Sequence, residues 1–470
     1  MKDFDLAVIG AGAAGLSVTY AAAQLGLRVA LIERARMGGE CLNAGCVPSK
    51  ALLAAAHAAG AVRGARRFGV GAAEPTIHWD AVRAHVHGAI AAIAPADSVE
   101  RYEGLGATVL QAHARFVAPD ALDVGGQCIT ARRIVVAAGS RPAVPDVPGL
   151  DQVPFLTNEN LFELAEKPDH LLILGGGSIG LEMAQAHAAL GCRVTLVQRG
   201  RIAPRDEPEL VDALRPALLA SGVVLHENAA VLAVEPGPVL VLADGQRIVG
   251  SHLLVAVGRA PSLDGLDLQA GQVQATDKGV ATDTGLRSVS NPRVYAAGDI
   301  ADPAGIGPRW FTHVGSYHAG LIVRRLVFRL PAKLDYGALP RVTFTDPELA
   351  QVGLTEADAR AAGHKTEVLT WPLRENDRAV TEGDTRGLAK LVLSGGRVLG
   401  AGILAAHAGE MIGAWTLAIQ ERVPLSRLAG MVVPYPTRAE VGKRALGTHF
   451  SARLFAAKPR LLARLLAKLP

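Results

Sequence analysis

Runs of contiguous apolar residues closed by glycine recur along this chain, and between them apolar positions repeat at helical spacing. Phe4-Asp5-Leu6-Ala7-Val8-Ile9 reads as a buried parallel strand, followed by a glycine-rich loop and an Ala-rich helix to Leu25. Gly26 stops that helix, and a second strand over 28–32 ends on Glu33. Unbroken apolar runs bounded by turn residues are how strands covered on both faces read. Ala/His-rich helical sequence then extends to about 105, strands are predicted over 107–117 and 121–130, and Ile134–Ser140 is a further buried strand ending at a turn. Arg141-Pro142 through Pro148-Gly149 marks a boundary. Leu171–Leu174 and the glycines after it repeat the opening pattern, with a helix over Leu181–Leu190 and a strand over 193–197. Two more strands end at Val255–Pro261 and at Val294–Asp299. From about 340 the pattern changes to strands near 364–372 and 387–394, a turn at Gly395-Gly396, and helices around 409–421 and 424–430, which predicts an antiparallel sheet with helices.

The two glycine loops carry the first chemistry. In Gly10-x-Gly12-x-x-Gly15 the glycines allow the tight turn, the approach of a pyrophosphate and close helix–strand packing, and Glu33 is placed to hydrogen-bond a ribose hydroxyl. The second loop supplies Gly175, Gly177 and Gly180, but its strand ends in Gln198-Arg199-Gly200-Arg201 where an acid would be expected. Arginine there favours a 2′-phosphate through charge-assisted contacts, so the second site leans toward NADPH over NADH; Arg199 and Arg201 also read as solvated loop charges. The fold class expected is α/β, with two Rossmann-like dinucleotide-binding domains and a C-terminal α+β dimerisation domain.

Composition narrows the field. The 470 residues, 50% of them hydrophobic, suit several buried cores, and a formal charge of +4 with 20% charged residues leaves no nucleic-acid footprint. Four cysteines argue against a secreted disulfide scaffold. The chain enters a strand directly after Met1-Lys2-Asp3, so no signal peptide is expected, and a reducing cytoplasmic setting fits. No apolar run is long enough to span a bilayer.

Two of the cysteines stand in Gly38-Gly39-Glu40-Cys41-Leu42-Asn43-Ala44-Gly45-Cys46-Val47-Pro48-Ser49-Lys50, at the front of an Ala/Leu-rich helical pattern. A helix N-terminus favours a thiolate, and two close thiols shuttle between dithiol and disulfide. A zinc corner would need more Cys or His nearby, and the segment offers only His57, so no metal site is expected. Cys128 and Cys192 are isolated and read as inert core residues, and His57, His85 and His87 as core or solvated histidines.

Together, the Cys-x4-Cys-Val-Pro-Ser-Lys run, Gly298-Asp299 and Phe344-Thr345-Asp346-Pro347-Glu348 resemble the class I pyridine nucleotide-disulfide oxidoreductases, over roughly residues 4–445. The resemblance implies FAD-binding segments at 1–150 and 266–338, an NAD(P) domain at 151–265, a dimerisation domain at 339–445 and a homodimer. It implies that Gly10, Gly12, Gly15, Glu33, Asp299 and the backbone at Ala114, Gly139 and Gly258 serve the cofactors. It further implies a redox-active Cys41–Cys46 disulfide, with Cys46 next to the flavin and Cys41 as the interchange thiol. Lys50 and Glu182 would form an ion pair beside the flavin N5.

Where the family pattern has a C-terminal histidine five residues before a glutamate, this chain has Tyr435 before Glu440. A phenol near pKa ~10 is a far poorer base than imidazole, though it donates a hydrogen bond or packs at an interface. In this the chain is similar to mercuric reductase-like members, but without their C-terminal cysteine pair, since its last cysteine is Cys192. The expected activity is electron transfer from NADPH through FAD and Cys41–Cys46 to a disulfide or thiophilic acceptor. The alternatives are a dihydrolipoamide dehydrogenase using NADH, a metal-ion reductase and a membrane-surface flavoprotein electron carrier.

The tail, 446–470, stands apart. Residues 441–470 hold seven Lys/Arg and no Asp/Glu, and after Pro459 five leucines share one helical face with Arg460, Arg464 and Lys468 on the other. That pattern suits an anionic membrane surface or packing on the dimer mate.

Overall fold

The computed structural model describes residues 2–469. The chain falls into two compact units, the residues to Gly175 with Val231–Leu334, and Gly176–Ala230 with the residues from Asp335 on.

In the first unit, the strands Phe4–Ile9, Val29–Ile32, Ala107–Leu110 and Gln127–Val136 form a parallel sheet, in the order 107–110, 29–32, 4–9, 127–136. Ala7 faces Ala30 on one side and Ile134 on the other, and all three are fully buried. The strand Val294–Ala296 pairs with 127–136 in parallel, so a late segment returns to the first sheet. The helix Ala13–Gln24 packs against the helix Thr312–Leu326. Their approach depends on glycine, because a Cβ at Gly315 would stand 3.1 Å from the Ala14 nitrogen. The expected strands 107–117 and 121–130 are each divided: the chain turns at 111–113, and Gly125-Gly126, both at positive φ, make a hairpin between Ala121–Val124 and 127–136. That hairpin carries Cys128 to the surface, so the reading of Cys128 as a core residue is corrected, while Cys192 is buried. The same unit pairs His170–Leu174 with His252–Val255 in parallel.

In the second unit the strand Arg193–Val197 pairs in parallel with Val223–His226, beside the helices Ser178–Ala189 and Pro208–Ala220. The residues after 339 build a five-stranded antiparallel sheet, in the order Pro340–Thr343, Glu348–Gly353, Arg397–Ala405, Leu388–Ser394, Glu367–Pro372. The helices Ala408–Gln420 and Glu440–Leu454 share its core, where Gly442 lets the backbone meet the Trp415 indole. Lys390 is buried in the sheet, and its ammonium donates to Glu207 (3.0 Å), Glu209 (2.8 Å) and Glu356 (2.8 Å).

Candidate active site

The first glycine loop is shaped by two close approaches. Gly10 has φ of 105°, and a Cβ there would stand 2.4 Å from the Ala137 carbonyl oxygen; a Cβ at Gly15 would stand 1.8 Å from the oxygen of Gly10. No larger residue fits either position. Gly12 caps the helix 13–24, whose N-terminus carries the free N–H groups and positive dipole end that suit a phosphate. Glu33 accepts from the N–H of Ala11 at 2.7 Å and of Ala35 at 2.8 Å, fixing the carboxylate at the mouth of that loop. Glu33, Gly10 and Ala114 line one cleft with Ile32, Ala138 and Asp264. A glycine cradle, a helix N-terminus and a pinned acid fit the pyrophosphate and ribose of FAD.

Cys41 is the third residue of a short helix, Gly39–Asn43, and Cys46 the first residue of the helix Cys46–Gly64. A thiolate-favouring helix N-terminus therefore acts on Cys46 alone, which corrects the expectation that both thiols sit at the front of one helix. Both cysteines are thiols in this structure. The hydrogen bond from Cys41 to Cys46, reinforced by burial, pushes the Cys41 thiol above its ordinary value. The Thr312 hydroxyl, at the start of helix 312–326, lies 3.1 Å from the Cys46 sulfur.

A chain of polar side chains runs from the cysteine loop to Asp299. The Glu40 carboxylate is paired with the Arg259 guanidinium and accepts from Asn158 Nδ2 at 2.8 Å. Asn158 also donates to the Ala44 carbonyl at 3.1 Å, so it spans the loop between the cysteines. Arg259 Nε donates to Ser140 Oγ at 2.7 Å, and Ser140 Oγ donates to Asp299 at 2.5 Å. Burial pushes the Glu40 and Asp299 carboxyls up, against the pull of Arg259 on both. Asp299 follows Gly298, whose N–H donates to His318 Nδ1 at 3.0 Å. Burial lowers His318 to about 4, so its ring is neutral and remains an acceptor. Sequence reasoning missed Arg259, Asn158, Ser140, Thr312 and His318. The one signal available was Arg259, directly after Gly258 at a strand end.

The remaining site residues divide between the units. Lys50 lies half-buried on helix 46–64, and Gly139 and Gly258, both at positive φ, flank the Ser140–Arg259 contact. Gly175 repeats the Gly10 geometry, with a Cβ that would stand 2.4 Å from the Ala256 oxygen. In the second unit Gly177 caps helix 178–189, which buries Gly180 and Glu182, and the Glu182 carboxylate accepts from the Phe344 N–H at 3.0 Å. The Gln198 side chain accepts from the Gly176 N–H at 2.8 Å. Arg199 is exposed, whereas Arg201 is turned toward the start of helix 208–220, donating to the Pro208 carbonyl at 3.3 Å. Tyr435 is 68% exposed and its hydroxyl donates to Asp377 at 2.9 Å, a contact that raises its pKa above the ordinary 10. Glu440 sits in the first turn of helix 440–454, 3.8 Å from Arg444. No cluster of three His, Cys, Asp or Glu that could hold a metal occurs among the described residues.

A dinucleotide cradle beside a paired-cysteine loop defines a flavin- and nicotinamide-dependent oxidoreductase, and the chain belongs to the pyridine nucleotide-disulphide oxidoreductase family, which matches residues 4–320. The family's dimerisation domain matches residues 339–446, which makes the protein a homodimer. The chain is 38% identical over 467 residues to a mercuric reductase of Streptomyces lividans, covering 95% of this chain and 96% of that one. It is 37% identical to a mercuric reductase of Shigella flexneri, covering 94% of this chain and 80% of that one. Among solved structures it is similar to the HOCl-induced flavoprotein disulfide reductase RclA of Escherichia coli, with a TM-score of 0.83, 26% identity and coverage of 94% and 99%. LpdA of Mycobacterium tuberculosis gives a TM-score of 0.85 at 25% identity, with coverage of 96% and 100%.

Proposed function

We propose that this enzyme takes electrons from NADPH and delivers them through Cys46 and Cys41 to a disulfide or another thiophilic acceptor. The observation that carries the reading is the placing of the two thiols: Cys46 at the N-terminus of helix 46–64 beside Thr312, and Cys41 five residues before it on a short helix of its own. FAD, when bound in the cradle of Gly10, Gly12, Gly15 and Glu33, supplies the two-electron exchange between nicotinamide and the cysteine pair.

The chain's own residues do the rest. Once Cys41 gives up its proton, its sulfur attacks one sulfur of the acceptor, breaking the acceptor's S–S bond and releasing the first thiol. Cys46 then attacks Cys41, closing the Cys41–Cys46 disulfide and releasing the second thiol; the two protons of the dithiol leave with the products. Glu40, Asn158 and Arg259 hold the loop between the two sulfurs during both attacks. Tyr435, protonated well past neutrality with its one hydroxyl proton given to Asp377, is left to orient an acceptor through its ring and the lone pairs of its oxygen, and leaves proton removal to other groups. The preference for NADPH rests on Arg199, the exposed cation at the end of strand 193–197, and on the engagement of Gln198 with Gly176.

The relatives named mercuric reductase support a second acceptor of the same chemistry, a soft metal ion taken by the two thiolates. Cys41 and Cys46 are the two thiols that would take such an ion.

Steady-state assays of the wild type and of Cys41→Ser with small disulfides and with Hg(II) test the reading. Turnover of a disulfide or of Hg(II) that vanishes in Cys41→Ser supports it. Activity toward quinones or oxygen alone, unchanged in Cys41→Ser, overturns it.

A further inference from the structure

The helix Ala457–Leu466 takes no part in this chemistry. None of its residues is buried, and Leu461, Leu462, Leu465 and Leu466 are all more than half exposed. At 3.6 residues per turn these four leucines fall within an arc of about 140°, and Leu469 follows on the same side. Arg460 and Arg464 occupy the opposite face, with Lys468 next to them. Leu454 and Phe455, just before the helix, are exposed as well. The chain from 441 onward carries seven Lys/Arg and no Asp/Glu.

The position of the helix tells against its being part of the dimerisation core. The matched dimerisation domain ends at residue 446, and helix 440–454 buries Val441, Gly442, Ala445, Leu446 and His449, whereas helix 457–466 begins after that burial has stopped. Pairing its leucine face with the same helix of a second copy would leave the cations on the outer face with no counter-charge. An anionic lipid surface satisfies both faces at once: the leucines enter the acyl boundary while the cations meet the headgroups. No helix among the described residues is long and apolar enough to cross a membrane, so the contact would lie along the surface.

We propose that helix 457–466, with its flanking residues, is an interfacial anchor that docks this oxidoreductase on an anionic phospholipid bilayer.

The test is vesicle flotation of the full-length, FAD-loaded protein. Wild type is expected to float with vesicles rich in phosphatidylglycerol, to stay down with phosphatidylcholine alone, and to be released by high salt. The full-length variant Arg460→Glu/Arg464→Glu/Lys468→Glu should lose about a hundredfold or more in partitioning, on the per-charge scale of polybasic segments. Leu461→Ser/Leu465→Ser should also stay down. Both variants should keep bound flavin and dimeric mass, since every substituted side chain is exposed. Wild type that does not float, or variants that float equally well, would overturn the proposal. So would variants that become monomeric, because the helix would then be an element of the dimer.

Discussion

His318 shows how one buried side chain ties site architecture to pH. Its neutral ring accepts from the Gly298 N–H and so supports the turn that presents Asp299. With a folded value near 4 against 6.5 unfolded, protons bind the unfolded chain first. Its contribution is therefore complete above pH 6.5 and is lost as pH falls toward 4. The loss amounts to about 3 kcal/mol. Melting curves across that window should show the acid limb, and His318→Gln, which keeps an acceptor for Gly298, should flatten it. Arg199 makes a second prediction at this scale. If it is the group that meets a 2′-phosphate, Arg199→Glu should lower the ratio of kcat/KM for NADPH to that for NADH by about tenfold to a hundredfold. An unchanged ratio would move the preference to another group. Both glycine loops, Glu33 and the cysteine pair stand out in the sequence because their spacing is local. Arg259, Asn158 and His318 do not: each meets its partner across 20 to 219 positions of chain, and no periodicity marks such a pairing.

Among the elements, helix 208–220 and the antiparallel sheet are linked through a single buried cation. Burial opposes the charge on Lys390, yet Glu209, Glu356 and Glu207 together lift its pKa above the usual lysine value. Lys390→Met would leave Glu207 buried without its counter-charge and should cost about 3–5 kcal/mol, read from the urea midpoint. The Lys390→Met/Glu207→Gln pair should recover part of that loss, as coupled groups do. Element positions were largely legible beforehand. The predicted strand 193–197 is found with those limits, and helices expected at 409–421 and 424–430 appear as Ala408–Gln420 and Leu425–Ala429. Boundaries failed where turn chemistry intervened. Gly125-Gly126 split one predicted strand, and a separate short helix took Cys41 away from the helix that starts at Cys46. Lys390 was passed over because a lysine inside an otherwise apolar strand shows no sign of the three carboxylates that neutralise it.

For the whole molecule, the proposed function joins NADPH, FAD and the Cys41/Cys46 pair in a single electron path. Anaerobic titration of the FAD-loaded protein with NADPH tests it most directly. Two electrons per site are expected to produce a long-wavelength thiolate–flavin charge-transfer band, which Cys46→Ser should remove and Cys41→Ser should retain. Bleaching of the flavin by NADPH with no such band in the wild type would contradict the path through Cys46.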